Sequence, residues 1–269
     1  MAFVRRVLKR CLGFTKVEWR FSEFPAPFNS LFRTSVEKHA ARDLSLDMAH
    51  KFFLPDRVLQ RNDVVALVFN SGGKTKRQTI VEFLSEFLAL FEHAATFSYQ
   101  ADAVVTQARF LFLYDADAEG IEQIRKDVKA AFGSIAGEPW LTDDWQSDAD
   151  DPAGAIAVDK ALYVWSGKSG QGTLEDILMP VLHRSESGLS AGAEKQIETL
   201  FDWKAGVAEK AKKHKATIAL AGQREKPGMS MSVILDQTQI LKDDVLATDT
   251  RVASFARYLA SFIGMSVIR

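Results

Sequence analysis

Three times along this chain a short apolar run passes through a turn rich in glycine or acid into a stretch with apolar residues at helical spacing. Residues 64–69 lead through Asn70-Ser71-Gly72-Gly73 to Ile80, Phe83, Leu84, Phe87, Leu88 and Phe91. Residues 109–114 lead through an acidic turn to Ile121, Ile124, Val128 and Ala131, and residues 161–165 through Ser166 to Gly172 to Leu174, Ile177, Leu178 and Val181. A strand that is apolar at every position is covered on both faces, and strand-helix alternation returns the chain to the same sheet as a parallel neighbour. The expectation is an α/β fold with a mainly parallel sheet and helices on both faces. A helix over residues 191–213, a strand over 216–222 and a last helix carrying Val252, Phe255, Leu259 and Phe262 complete the pattern.

Ahead of this, Phe3, Val4, Val7, Leu8, Cys11 and Leu12 share one helical face, with Arg5, Arg6, Lys9 and Arg10 opposite. That predicts a core helix with a solvated basic face, ended by Gly13. Val17, Trp19 and Phe21 alternate like a short strand, residues 23–35 read as a loop, and helical pattern is weak over 35–50. The predicted organisation is an N-terminal helix and irregular segment over 1–62, packed on the core of an α/β domain over 63–269 with a C-terminal helical extension. Lys plus Arg number 34 and Asp plus Glu 35, so an anionic partner must be held by a local patch. The single cysteine, Cys11, rules out an intrachain disulfide or a cysteine-based zinc site and points to a reducing, cytoplasmic setting. No apolar run approaches the roughly 18 residues of a membrane span, so no membrane association is expected. The five histidines include no i, i+4 pair and there is no Gly-x-Ser-x-Gly elbow, which leaves zinc-hydrolase and serine-hydrolase schemes unsupported.

In an open parallel sheet, ligands bind beyond the carboxyl ends of the strands. After Tyr114 comes Asp115-Ala116-Asp117; in extended backbone, residues two apart point the same way, and two hard carboxylates there suit Mg or Mn. The competing explanation is that Asp117 caps the following helix, which accounts for one aspartate and not both. After Trp165, Thr173 and Asp176 have capping-box spacing, whereas Glu175 either completes a carboxylate cluster or merely complements the helix dipole. Gly72-Gly73-Lys74-Thr75 invites a phosphate-loop reading, but the glycine required five positions before Gly73 is Val68. Gly73, Lys74, Lys76 and Arg77 remain candidate phosphate contacts at a helix start. Lys204, Lys210, Lys212, Lys213 and Lys215 form a second basic cluster, either a solvated face or a nucleic-acid surface. The aspartate-rich residues 142–152 are too irregularly spaced for a metal loop.

Taken in order, residues 110–117 (FLFLYDAD), 172–176 (GTLED) and 215–223 (KATIALAGQ) with Pro227-Gly228 resemble the Toprim-like proteins. These include bacterial primases, topoisomerases, small nucleases and the nuclease domain of overcoming-lysogenization-defect proteins; the nearest likeness is to an uncharacterised bacterial Toprim-like group. The resemblance runs from Val64 to the C-terminus. It implies that Asp115 and Asp117 hold Mg or Mn, that Glu175 belongs to the same acidic cluster, and that Lys215 stands near a basic catalytic position. The implied chemistry is metal-assisted cleavage of phosphodiesters in nucleic acid, a nuclease-type reaction. Two other classes stay open: a non-catalytic Toprim-like module binding nucleic acid or protein, and a nucleotide-binding protein using Gly72 to Thr75. Such sheets begin on a strand ending in glutamate just before a helix like residues 2–12, whereas the sequence given starts on the helix. The resemblance therefore implies a sheet without its first strand, and weak cleavage or none. Oligomerisation is left open.

Overall fold

A computed structural model describes residues 1–40, 54–70, 77–97, 105, 107–132 and 158–267. Ten α-helices and five strands lie among these residues. In chain order they are α1 (Ala2–Leu12), β1 (Thr15–Val17), α2 (Phe28–Ala40), β2 (Arg57–Arg61), β3 (Val64–Val68), α3 (Arg77–Phe97), β4 (Ala108–Asp115), α4 (Ile121–Phe132), β5 (Val158–Trp165), α5 (Glu175–Ser185), α6 (Ser187–Leu200), α7 (Val207–Gly222), α8 (Met231–Gln237), α9 (Asp243–Thr248) and α10 (Thr250–Ile263).

The α/β class holds, but the mainly parallel sheet does not. Strands β1, β2 and β3 pair antiparallel, and only β4 and β5 pair parallel, with Ala108 opposite Val158 and Asp115 opposite Trp165. The apolar run at Val64 belongs to a hairpin: Arg61 pairs with Val64 across the two-residue turn Asn62-Asp63, and Asn62 adopts φ 54. Two-residue hairpins favour asparagine because their twist demands positive φ. An apolar run shows that a strand is covered, and it says nothing of its partner's direction.

Side chains alternate across both sheets into the same two cores. Leu59, Val68 and Trp165 face one core with Phe3, Leu178, Ile234, Leu246 and Phe255. Val58, Tyr114, Leu162 and Val164 face the other with Phe32, Ile80, Phe87, Ile124 and Val128. The two sheets thus act as one layer, with α1, α5, α8, α9 and α10 on one side and α2, α3 and α4 on the other. Among the described residues no helix is long and apolar enough to cross a membrane.

Four further expectations change. Residues 216–222 are the end of helix α7, not a strand; Ile218, Ala221 and Gly222 are buried at helical spacing, and the alanine-rich sequence favours that state. Residues 28–35, expected as loop, belong to helix α2, which runs to Ala40, and the strand near Val17 stops before Trp19. Helix α1 forms as expected, capped by Gly13 at φ 66, yet its basic face is not solvated. Arg5 and Arg6 are buried, and Lys9 and Arg10 pair with Asp236 and Asp243 on the segments of α8 and α9.

Candidate functional site

Because β4 and β5 pair to their last residues, the loops that follow leave the sheet side by side and are joined along their length. Ala116 N–H donates to Trp165 O at 2.8 Å, Asp117 N–H to Gly172 O at 2.7 Å, and Gly172 N–H to Asp117 O at 2.8 Å. Gln171 closes the loop by donating to Ala118 O at 2.7 Å. This ladder sets the first turn of α5 against the end of β4, where Leu174 N–H donates to Asp115 Oδ1 at 2.8 Å. Asp115 and Glu175, sixty residues apart in sequence, are thereby brought within electrostatic reach of each other at the carboxyl end of the parallel pair.

Burial pushes the Asp115 carboxyl up to about 6, and the nearby carboxylates of Glu175 and Asp117 add to the rise. The Leu174 N–H and Lys215 oppose it. Glu175 is 6% exposed and its Oε2 has no hydrogen-bond partner; its Oε1 lies 3.9 Å from Lys215 Nζ. The expectation that strand pleating aims Asp115 and Asp117 alike is not met, because β4 ends at Asp115 and Asp117 sits at φ 49. Asp117 instead lies on the turn tied to Gly172, four residues before α4. Among the described residues no three of His, Cys, Asp and Glu converge as a metal-holding group.

Helix α7 supplies the facing charges. Lys210 Nζ lies 2.6 Å from Asp176 Oδ1, His214 Nδ1 lies 3.6 Å from the same oxygen, and Lys215 faces Glu175. Burial would raise Asp176, but Lys210, the Thr173 N–H and His214 together hold it below the ordinary carboxylate range. Burial lowers His214 against the pull of Asp176, which favours the neutral imidazole. The capping box is half formed: Asp176 Oδ2 accepts from Thr173 N–H at 3.0 Å, while the buried Thr173 hydroxyl has no partner. The sequence reading named Lys210 in a basic cluster, taken as a solvated face or a nucleic-acid surface, and did not foresee that Lys210 and His214 face Asp176. The i, i+4, i+5 spacing of 210, 214 and 215 was the signal, legible only once residue 215 is placed in a helix.

Of the phosphate-contact candidates, Gly73, Lys74 and Lys76 lie outside the described residues, as do residues 142–152. Arg77 opens α3, with Nη1 3.6 Å from Asp127 Oδ2 and its guanidinium 5.5 Å from the Tyr114 ring centre. Those contacts anchor α3 to α4 and β4.

Gly172 holds the loop ladder together. It adopts φ 117, and a Cβ there would collide with Asp176 Oδ2 and reach 3.0 Å from Gly167 N. Gly172→Ala should cost about 1–3 kcal/mol, read as a lower chemical-denaturation midpoint. An unchanged midpoint would show that the ladder does not depend on this backbone conformation.

The residues present fit a divalent cation of the magnesium kind. Mg usually takes one or two protein carboxylates and fills its octahedron with water and substrate oxygens, rather than using a closed protein cage. Asp115 and Glu175 offer that pair, and Glu175 Oε2 is a buried acceptor with no donor. Comparison with models of known protein families, with curated proteins and with solved structures finds no match to this chain.

Proposed function

We propose that this protein acts on phosphodiesters of nucleic acid with a divalent cation, Mg or Mn, which Asp115 and Glu175 would hold and to which Asp117 adds negative charge. The observation supporting this reading is Glu175 Oε2, buried and unpaired beside a second carboxyl whose ionisation burial opposes. An unpaired buried carboxylate oxygen is costly, and a cation is the partner that repays the cost. Bound there, such an ion supplies a polarised phosphoryl oxygen and a water of lowered pKa. Lys215, half exposed and facing Glu175, is placed to hold an anionic oxygen of the substrate. Asp115, with its pKa near 6, exchanges a proton close to neutral pH.

Calorimetric titration with Mn tests the reading. Asp115→Ala and Glu175→Gln should each weaken binding about ten-fold or more, and whatever cleavage of DNA or RNA the wild-type chain shows, weak as it is expected to be, should require Mg or Mn. Mn affinity unchanged in both variants would place the cation elsewhere. Binding without cleavage of any strand would assign the chain to the non-catalytic class.

A further inference from the structure

The turn between α6 and α7 carries the two most exposed large apolar side chains among the described residues, Leu200 at 66% and Phe201 at 56%, next to each other in the chain. Single apolar side chains are ordinary on a protein surface, whereas a contiguous patch marks a contact. Trp203 extends this one: its ring centre lies 5.6 Å from that of Phe201, and its Nε1–H donates to Ile197 O at 3.0 Å in the last turn of α6. That hydrogen bond ties the turn back to the helix. The rings are therefore held in place before any partner arrives, and little ordering entropy is lost on binding.

Charge indicates what covers the patch. The lysines that follow on α7 are already matched, Lys210 to Asp176, Lys212 to Glu209 and Lys213 to Glu198. Asp202 and Lys204, both exposed and one on each side of Trp203, form no ion pair or hydrogen bond among the described residues. An acid and a base equally spaced about Trp203 are self-complementary. A two-fold axis passing by Trp203 sets Asp202 of one copy against Lys204 of the other, and by symmetry does so twice. We infer that this turn is an isologous contact between two copies of this chain, with Leu200, Phe201 and Trp203 at its centre and the two Asp202–Lys204 pairs at its rim. A polyanion would match Lys204 and repel Asp202, whereas a second copy matches both. Three side chains fall short of the roughly 800 Å² per partner of a standard interface, so the dimer is weak, with a dissociation constant on the order of 100 µM. The inference does not rest on the proposed phosphodiester chemistry.

Sedimentation velocity over a concentration series from about 5 to about 500 µM tests the inference. The wild-type chain should pass from monomer to dimer and form nothing larger, since an isologous contact closes on itself. Phe201→Ser, at a side chain mostly in water, should weaken dimerisation about ten-fold and leave the melting temperature and Mn affinity unchanged. Asp202→Lys and Lys204→Asp should each weaken self-association about ten-fold, because each sets like charges face to face. An equimolar mixture of those two variants should associate as tightly as wild type, since every rim pair in the mixed dimer is again one acid and one base. A wild-type chain monomeric at about 500 µM would overturn the inference. So would wild-type association in Phe201→Ser, or a mixture that associates no better than either charge variant alone. Loss of oligothymidylate binding in Phe201→Ser, with the wild-type chain monomeric throughout, would give the patch to nucleic acid instead.

Discussion

Asp115→Asn should stabilise the metal-free protein at pH 8 and leave it unchanged near pH 3. The Asp115 carboxyl is raised from 3.8 to about 6, chiefly by burial, so the native state holds its proton more tightly than the unfolded chain does. Stability then falls as pH rises from about 4 to about 6, and the full cost stands above that window. A displacement of this size corresponds to at most ~3 kcal/mol, which the partial exposure of the carboxyl reduces to about 1–2 kcal/mol. Asparagine removes the charge and keeps an oxygen for the Leu174 N–H. In chelator at pH 8 the variant should melt roughly 3–6 °C higher. A variant less stable than wild type at pH 8 would show that the ionised carboxylate supports the fold. Stabilisation on removing a charged group at a strand end is the behaviour expected of a residue kept for binding rather than folding.

Arg6→Ala should produce the largest loss of stability of any substitution considered for this protein. The guanidinium is 4% exposed and donates from Nε and Nη2 to Asp243 Oδ1 at 3.0 and 2.8 Å. It also donates from Nη1 to Leu235 O at 3.1 Å and Thr238 O at 2.9 Å, and from Nη2 to Leu241 O. One side chain on α1 thus satisfies a carbonyl in the last turn of α8, two in the link to α9 and the carboxylate that opens α9. Removing it leaves three carbonyls without this donor and Asp243 with only Arg10 as its cationic partner, at a cost of about 3–5 kcal/mol in urea unfolding. Arg6→Lys should recover less than half, because an ammonium cannot reproduce the planar fork. A loss under about 1 kcal/mol would mean that water replaces the guanidinium without penalty.

The same residue shows where reading the chain without coordinates stops. Apolar spacing placed α1 correctly, but periodicity treats every arginine off the apolar face as solvated, and only the packing of α8 and α9 makes Arg6 an interior group. Strands β4 and β5 and helices α4, α5 and α10 were legible because their apolar runs are long and bounded by turns. Strand β2 was not: Arg57-Val58-Leu59-Gln60-Arg61 carries two central apolar residues between arginines, and its signal lay in the Asn62-Asp63 turn. Missing that hairpin is what made the sheet look mainly parallel. In α7, Thr217-Ile218 suggested a strand, and the helical register became visible only from Lys210 and His214 meeting Asp176. Asp115 was legible as the acid that closes an apolar strand, and Glu175 as a carboxylate at the start of the helix that follows the next one. The displaced ionisation of Asp115 was not, since desolvation depends on which loops close over the carboxyl.

The central claim is that Asp115 and Glu175 form one electrostatically linked carboxyl pair open to a divalent cation. Carboxyl-carbon NMR of Asp115 across pH, with and without Mg, tests it most directly. Without Mg the Asp115 signal should titrate near 6, lower in Glu175→Gln as a neighbouring negative charge is removed. Added Mg should move the titration below its metal-free position in the wild-type chain and leave it in place in Glu175→Gln. An Asp115 titration near 3.8 that neither Mg nor Glu175→Gln alters would contradict the account.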